Sequence, residues 1–275
     1  MTSYFATILR SISNYNRLEN VNRTLTMQLS TGKKINSPSD NPFLYRKIQS
    51  YEAESAAYES YLDRIDEGAA VVSVVSDAAS LQLDTLEKML EIANQVRAGG
   101  LSTGERTALN EQYEKLTEEL NEISANAGFD GKSYLDGTYA NSGSGFKVAT
   151  GPGESYEFLF INATAGSGGL DVESTSVSSV PNANAAVAKL EAAVETLNGF
   201  QQRLGTGEFI LESRAGLMES KQRELDELVE NYQEVDPVRL SAELERNRVL
   251  QQYALAAIGS VFASQQNLLD YLFPR

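Results

Sequence analysis

The feature that most limits the fold of this chain is a long stretch without proline in which apolar residues keep helical spacing. No proline lies between Pro42 and Pro152. Within the stretch, apolar side chains recur three, four or seven residues apart at Ile65, Val72, Val75, Ala79, Leu83, Leu86, Leu90 and Ala93. A helix over residues 43–98 would be roughly 80 Å long at 1.5 Å per residue, far beyond the usual globular length. The pattern therefore predicts a coiled-coil-like rod.

Both ends of the chain carry apolar stripes of the same kind. The first stripe consists of Ile8, Ile12, Tyr15, Leu18, Val21, Leu25 and Leu29. The last consists of Leu255, Ile258, Phe262, Gln265, Leu269 and Leu272, at heptad spacing, in a helix that opens at Asp236-Pro237. Neither segment can bury its own stripe, so we expect each to pack against the other or against another copy of the chain.

The middle of the chain has a different composition. Gly99-Gly100 ends the long helix, and Ser102 with Glu105 forms a capping-box start for the next one. Residues 127–183 are rich in Gly, Ser, Asn and Thr, and the alternation of Tyr156 and Phe158 with polar neighbours indicates a short strand. The sequence thus predicts a mainly α fold: a long antiparallel helical coiled-coil rod formed by both ends of the chain, with a small, exposed, partly β insert.

Composition excludes several kinds of chemistry. The chain has no Cys, His or Trp, so zinc sites with those ligands and nucleophile–histidine pairs are impossible. Its Gly-rich runs match no phosphate loop, and its carboxylates fall on solvated helix faces. Residues 1–48 carry seven Lys/Arg against two Asp/Glu, while the whole chain has a net charge of −15, which argues against nucleic-acid binding. We therefore expect no enzyme activity, cofactor, metal, nucleic acid or membrane insertion.

Three segments resemble the bacterial flagellins. The stretch Leu29-Ser-Thr-Gly-Lys-Lys-Ile-Asn-Ser37, followed by Ser39-Asp40, is similar to the family's signature after its N-terminal helix. The run Gly128-Phe-Asp-Gly-Lys-Ser-Tyr-Leu-Asp-Gly137 is similar to the segment where a helix gives way to β structure, and residues 249–269 are similar to the C-terminal helix. The likeness covers about 1–137 and 184–275.

Two features depart from that pattern. Asn41-Pro42-Phe43 stands where flagellins commonly have a run of small residues, and the chain ends with Leu269-Asp-Tyr-Leu272. Both favour a relative, the hook–filament junction protein (hook-associated protein 3). It is the alternative to the filament subunit.

The resemblance implies a division of the chain into three parts. Residues 1–42 with 237–275 would form a filament-core coiled coil and a spoke linker, residues 43–126 with 184–236 a helical rod domain, and residues 127–183 the insert. The self-assembly core would contain Ile8, Ile12, Leu25, Leu255, Ile258, Phe262 and Leu269. The spoke linker would contain Gly32, Lys33, Lys34, Asn36 and Asp40.

The resemblance also implies partners and a location. The chain would form a homopolymer in the extracellular flagellar filament, after secretion with the help of an export chaperone and under a filament cap, above hook-associated proteins at the filament base. Recognition by Toll-like receptor 5 is expected to be weak. Here Glu87-Lys88-Met89-Leu90-Glu91-Ile92-Ala93 replaces the usual Gln-Arg-Val-Arg-Glu-Leu-Ala run, and Lys115 stands where an acidic residue is usual.

Overall fold

The fold is known from a computed structural model, which describes the backbone of residues 2–272 and the side chains of residue 6 and residues 8–264. The helices are α1 (Thr2–Thr31), α2 (Pro42–Arg97), α3 (Thr103–Asn126), α4 (Val180–Gln233) and α5 (Pro237–Leu272). The strands are β1 (Gly128–Phe129), β2 (Lys132–Ser133), β3 (Phe146–Gly151) and β4 (Glu154–Phe158), which pair as two antiparallel hairpins. The expected mainly α fold with a small β insert is confirmed.

The chain divides into two compact units. Unit 1 consists of Met1–Ser55 with Arg223–Arg275, and unit 2 of Ala56–Gln222. Helices α2 and α4 contribute residues to both units. The three-part division expected from the sequence stays a prediction.

Helix ends follow local chemistry. The hydroxyl of Ser102 accepts a hydrogen bond from the Glu105 amide, and the Glu105 carboxylate accepts one from the Ser102 amide, so both ends of a capping box are present at α3. The hydrogen bond from the Ser102 amide to the carboxylate is the main cause of the lowered pKa of Glu105. At α5, the carboxylate of Asp236 accepts hydrogen bonds from the amides of Val238 and Arg239.

The insert contributes one set of side chains to the core of unit 2, while other parts of it are exposed, as at residues 129–132, 140–144 and 152–155. Its aromatic and aliphatic side chains pack with α2, α3 and α4, and the buried ones include Tyr134, Leu135, Val148, Phe158, Phe160, Ala163, Leu170 and Val172. Phe160 is fully buried, and its ring contacts those of Tyr134, Phe146 and Phe200. The insert is therefore held by hydrophobic burial that its many glycines and serines do not suggest.

Polar side chains attach the insert to the helices. Asn121 accepts a hydrogen bond from the Ala165 amide at 2.9 Å, and Asn110 accepts one from the Val177 amide at the same distance. The Nε2 of Gln82, which is fully buried, donates to the Ala163 carbonyl at 2.9 Å. These bonds satisfy buried backbone groups that a loop would otherwise leave without partners.

Two helix glycines let the β3–β4 hairpin approach closely. A Cβ at Gly68 on α2 would lie 2.5 Å from a methyl group of Val148, and one at Gly207 on α4 would overlap the ring of Phe158. Both positions therefore require glycine for packing.

One part of α2 is long and apolar enough to span a membrane by length and composition alone. Its apolar residues Val71, Val72, Val75 and Ala79 are buried in the core of unit 2. In all, 39% of this apolar stretch is buried within the protein, so burial explains part of its apolar character.

Candidate self-assembly surface

Helices α1 and α5 pack along each other in unit 1 and run antiparallel. The Asn22 side chain bonds to Gln251. Lys33, which follows Asn22 in the chain, pairs through its backbone with Glu234, which precedes Gln251. The less exposed side chains recur every three or four residues on both helices, as in a coiled coil. They include Ile8, Ser11, Tyr15, Leu18, Asn22, Leu25 and Gln28 on α1, and Leu240, Leu244, Asn247, Gln251, Ala254, Ile258 and Val261 on α5.

Each predicted terminal stripe is divided between this seam and the solvent. On α1, Leu25 is buried, whereas Val21 and Leu29 are exposed. On α5, Ile258 faces the seam, whereas Leu255 is exposed. A two-helix seam covers only a narrow strip of each partner, so it takes part of each stripe and leaves the rest exposed on the single chain.

The predicted self-assembly residues consequently fall into two groups. Ile8, Leu25 and Ile258 lie in the seam, with Leu25 the most buried at 8% exposure. Ile12, Leu255 and Phe262 point outward, with 40%, 51% and 54% of their surface exposed. The Leu269 side chain lies outside the described residues.

Further apolar side chains, which the sequence reasoning did not select, share the outward surface. They are Leu9 and Met27 on α1 and Val249, Leu250 and Tyr253 on α5. Scattered exposed apolar residues are ordinary, but so many on one pair of helices mark an interaction surface.

The seam also contains a polar pair that the sequence reasoning missed. The Nδ2 of Asn22 donates to the Oε1 of Gln251 at 3.1 Å, and the Oδ1 of Asn22 is buried without a hydrogen-bond partner among the described residues. The helical spacing of Asn22 from Tyr15 and Leu18 was a signal that could have identified it.

The linker, residues 32–41, is an ordered turn structure and not a flexible tether. Gly32 ends α1 with φ at +69°, a left-handed conformation that favours glycine. The Lys34 amide donates to the Gln233 carbonyl at 2.7 Å, and the backbone of Lys33 forms an isolated antiparallel β-bridge with that of Glu234. Ile35 is buried at 7% exposure. The structure thus brings Gly32, Lys33 and Lys34 of the predicted spoke linker next to the end of α4.

Asp40 organises the second half of the linker. Its Oδ2 accepts hydrogen bonds from the amides of Asn36 at 2.9 Å and Ser37 at 2.8 Å, and from the Ser37 hydroxyl at 3.1 Å. The Asn36 side chain donates to the Lys33 carbonyl. The two backbone hydrogen bonds lower the pKa of Asp40, because they favour its charged form.

The start of α2 adds a cation between two tyrosines. The Lys47 ammonium donates to the Tyr232 hydroxyl at 2.8 Å and lies 4.7 Å from the centre of the Tyr232 ring and 5.7 Å from that of Tyr51. The hydrogen bond to Tyr232 raises the pKa of Lys47. Sequence reasoning missed this cluster because its members lie far apart in the chain.

These features define a class of protein. The described residues contain no cluster of three or more acidic side chains arranged to hold a metal ion. What unit 1 offers is an apolar outer surface on two paired end helices, together with an ordered linker. Such an arrangement suits a structural protein that assembles from many copies.

Comparison with known proteins identifies the family. The model of the bacterial flagellin N-terminal helical region matches residues 3–140, and that of the bacterial flagellin C-terminal helical region matches residues 187–272. Flagellin FljO of Caulobacter vibrioides is 25% identical over 262 residues, which cover 95% of this chain and 94% of the relative. Flagellin FljK of the same organism is 26% identical over 269 residues, 94% of each chain.

A solved structure of a putative flagellar hook-associated protein from Vibrio parahaemolyticus has a similar fold. It has a TM-score of 0.60 with 14% sequence identity and covers 71% of this chain and 100% of that chain. At this identity the likeness concerns the fold alone.

The chain belongs to the bacterial flagellin family. It is a structural subunit of the bacterial flagellar filament, which is extracellular, and it polymerises into that filament. The expected filament role is confirmed, and the junction protein was the alternative.

Proposed function

We propose that the α1/α5 pair forms the core of the filament and that its outward apolar side chains bind neighbouring copies. Residues 1–42 with 237–275 make this core and its linker, residues 43–126 with 184–236 make the helical rod domain, and residues 127–183 make the insert. The proposal rests on the exposure of Ile12, Leu255 and Phe262. These side chains lie outside the seam through which α1 and α5 already pack against each other.

The seam residues and the outward residues have different roles. Ile8, Leu25 and Ile258 hold the two helices of one copy together. Ile12, Leu255 and Phe262 lose their exposed surface only when another copy covers them, so their burial favours the polymer over the single chain. Leu269 is assigned to the same role on its heptad spacing in the sequence alone. A contact between different faces of successive copies continues into a helical filament when the rotation between the copies does not close into a ring.

The linker supports this packing as a stiff, positively charged element. Gly32, Asn36 and Asp40 shape its turns, and the exposed side chains of Lys33 and Lys34 carry its charge. Unit 2 has 11 Lys/Arg against 25 Asp/Glu, a net charge of −14. Attraction between the linker of one copy and unit 2 of another would favour lateral packing and would weaken with salt.

Seeded polymerisation of the purified chain tests the proposal. We expect Phe262→Asp to abolish elongation from sheared filament seeds, as seen by electron microscopy, while the circular dichroism and thermal unfolding of unit 2 stay unchanged. Gln252→Asp is the matched control, because Gln252 is an exposed polar residue of the same helix. Filaments of normal length from the Phe262 variant would refute the core assignment.

We also propose that α5 is the segment bound by an export chaperone before secretion, and that a filament cap retains arriving subunits at the tip. The exposed apolar residues of α5 support this, because they would otherwise promote aggregation in the cell. Deleting residues 237–275 should remove binding to the chaperone encoded with the flagellar genes, measured by calorimetry. An unchanged affinity would contradict the assignment.

Recognition by Toll-like receptor 5 is proposed to be weak. On α2, Met89 and Ala93 are buried, and the side chains exposed beside them are Glu87, Lys88 and Glu91. This surface carries one cation and two carboxylates, where receptor-binding flagellins usually present Gln-Arg-Val-Arg-Glu-Leu-Ala. Purified monomer should give little signal in receptor reporter cells. Potent activation at nanomolar concentration would show the prediction to be wrong.

A further inference from the structure

Helix α4 presents an exposed aromatic side chain on the outer face of unit 2. Phe209 has 70% of its surface exposed, the largest fraction among the exposed apolar residues of unit 2 that the structure describes. Glu208 and Glu212 beside it are also exposed. A solvent-exposed phenylalanine between two carboxylates gives no stability to the single chain.

The same face of α4 carries two glycines that the single chain does not require. Gly205 lies four residues before Phe209 and Gly216 seven residues after it, so all three share one side of the helix. A Cβ added at Gly205 or Gly216 would meet no atom within 4 Å. Glycine is less favourable than alanine inside a helix, and no close contact within the part of the chain that the structure describes requires it at these two positions. A second surface that approaches the α4 backbone closely would do so.

A cleft elsewhere on unit 2 is suited to an aromatic side chain. It has a volume of about 350 Å³ and lies between α2, the β1–β2 hairpin and β3. Its apolar lining includes Val71, Phe129, Phe146 and Val148. Because Gly68 has no side chain, β3 packs closely against α2 at this point and forms one wall of the cleft.

The charged groups of this cleft complement those beside Phe209. Arg64, Lys132 and Lys147 line it together with Glu67 and Asp130. Lys147 lies 3.8 Å from Glu157, whereas Arg64 and Lys132 form no ion pair among the described residues. Glu67 and Asp130 likewise form no ion pair among the described residues, so the cleft has no net excess of unpaired positive charge. Arg64 and Lys132 are nevertheless two specific positions at which a ligand's carboxylates could pair.

We propose that Phe209 of one copy inserts into this cleft of a second copy, with Glu208 and Glu212 near Arg64 and Lys132. The occupant is a second copy because this chain belongs to a filament, in which copies of unit 2 are repeated. The contact joins two different surfaces of the same unit, and such a contact can repeat along a filament in which the copies are related by a rotation that does not close. It rests on polymerisation into the filament and not on the assignment of the α1/α5 core.

The absence of cysteine allows a direct test by cross-linking. One population carries Phe209→Cys and another carries Ser155→Cys, an exposed position that lines the cleft. Equal amounts are copolymerised on unmodified seeds, oxidised and separated on a denaturing gel. We expect a disulfide-linked heterodimer from filaments and none from unpolymerised mixtures. Ser220→Cys replaces Phe209→Cys in the matched control, because it lies on the same face of α4 three turns away and should give no heterodimer.

Charge exchange provides an independent measurement. Glu208→Lys with Glu212→Lys should raise the critical concentration for elongation at least fivefold, and adding Arg64→Glu with Lys132→Glu in the same chain should restore most of it. Filaments that form without a heterodimer of the Phe209→Cys and Ser155→Cys chains, or charge variants that do not compensate, would overturn the proposal. Because such filaments would still form, this failure is distinct from a failure of the filament core.

Discussion

Truncation of Phe262 to alanine should weaken the filament and leave the folding of unit 2 unchanged. A phenylalanine side chain buries about 150–250 Å², and 54% of Phe262 is exposed, so roughly 110 Å² remains to be buried in the filament. At about 25 cal/mol per Å² this is worth about 2.7 kcal/mol, of which Phe262→Ala loses about 2 kcal/mol. A loss of that size raises the critical concentration for elongation roughly 30-fold.

The assay is sedimentation of seeded filaments over a range of subunit concentrations. Thermal unfolding of unit 2 is measured in parallel and should change by less than about 0.5 kcal/mol, because Phe262 belongs to unit 1. Leu25→Ala serves as the contrast, since Leu25 is buried in the seam and its truncation should destabilise the α1/α5 pair by about 2–5 kcal/mol. A critical concentration for Phe262→Ala within twofold of the unmodified chain would refute the reasoning.

Three further predictions concern local structure. The amide signals of Asn36 and Ser37, which donate to Asp40, should shift together in NMR spectra as the pH is lowered, with a midpoint below 3.8. The lowered pKa of Asp40 stabilises the linker at pH values above the unfolded-state pKa, and that stability is lost as the pH falls through the folded-state pKa. A midpoint above the unfolded-state pKa would contradict this. Gly207→Ala should lower the free energy of unfolding of unit 2 by about 1–3 kcal/mol, because the added Cβ would overlap the ring of Phe158. Gly216→Ala should raise the same free energy by up to about 1 kcal/mol, because its Cβ meets no atom and alanine favours a helix. Equal effects of the two variants in thermal unfolding would count against this account of the packing. Ser102→Ala should cost about 0.5–2 kcal/mol in urea unfolding through loss of the capping box, and no change would argue against the cap.

Helix boundaries were predictable because their signals are local. Ser102 with Glu105, Asp236 with Pro237, and Gly99 with Gly100 each act on a backbone within a few residues, so their chemistry can be read without tertiary structure. The turn at Asp130-Gly131 has the same character, with φ at +51° and +73°. The family resemblance rested on segments whose local chemistry is equally distinct.

The burial of the insert was not predictable from its composition. Residues 127–183 look like surface loops, yet Phe160 and Leu135 are fully buried. What holds them is supplied from far along the chain, by the Gln82, Asn110 and Asn121 side chains and by the gaps at Gly68 and Gly207. Spacing in one segment carries no information about such partners.

The division of the terminal stripes between the seam and the solvent was also not predictable, because it depends on a partner helix that lies far along the chain. Ile12 and Leu18 are equally apolar, and only the position of the partner helix decides which of them faces the seam. A polymer subunit adds a further difficulty, because its sequence encodes contacts with other copies as well as with itself. Apolar positions on α1 and α5 therefore exceed what one seam can cover.

The central claim is that the α1/α5 pair lies at the filament core and binds neighbouring copies through its outward side chains. A cryo-electron microscopy map of filaments grown from the purified chain tests it most directly. We predict that α1 and α5 form the innermost layer, with Ile12, Leu255 and Phe262 buried against adjacent subunits. A map in which these side chains face solvent, or in which another part of the chain lines the axis, would contradict the account.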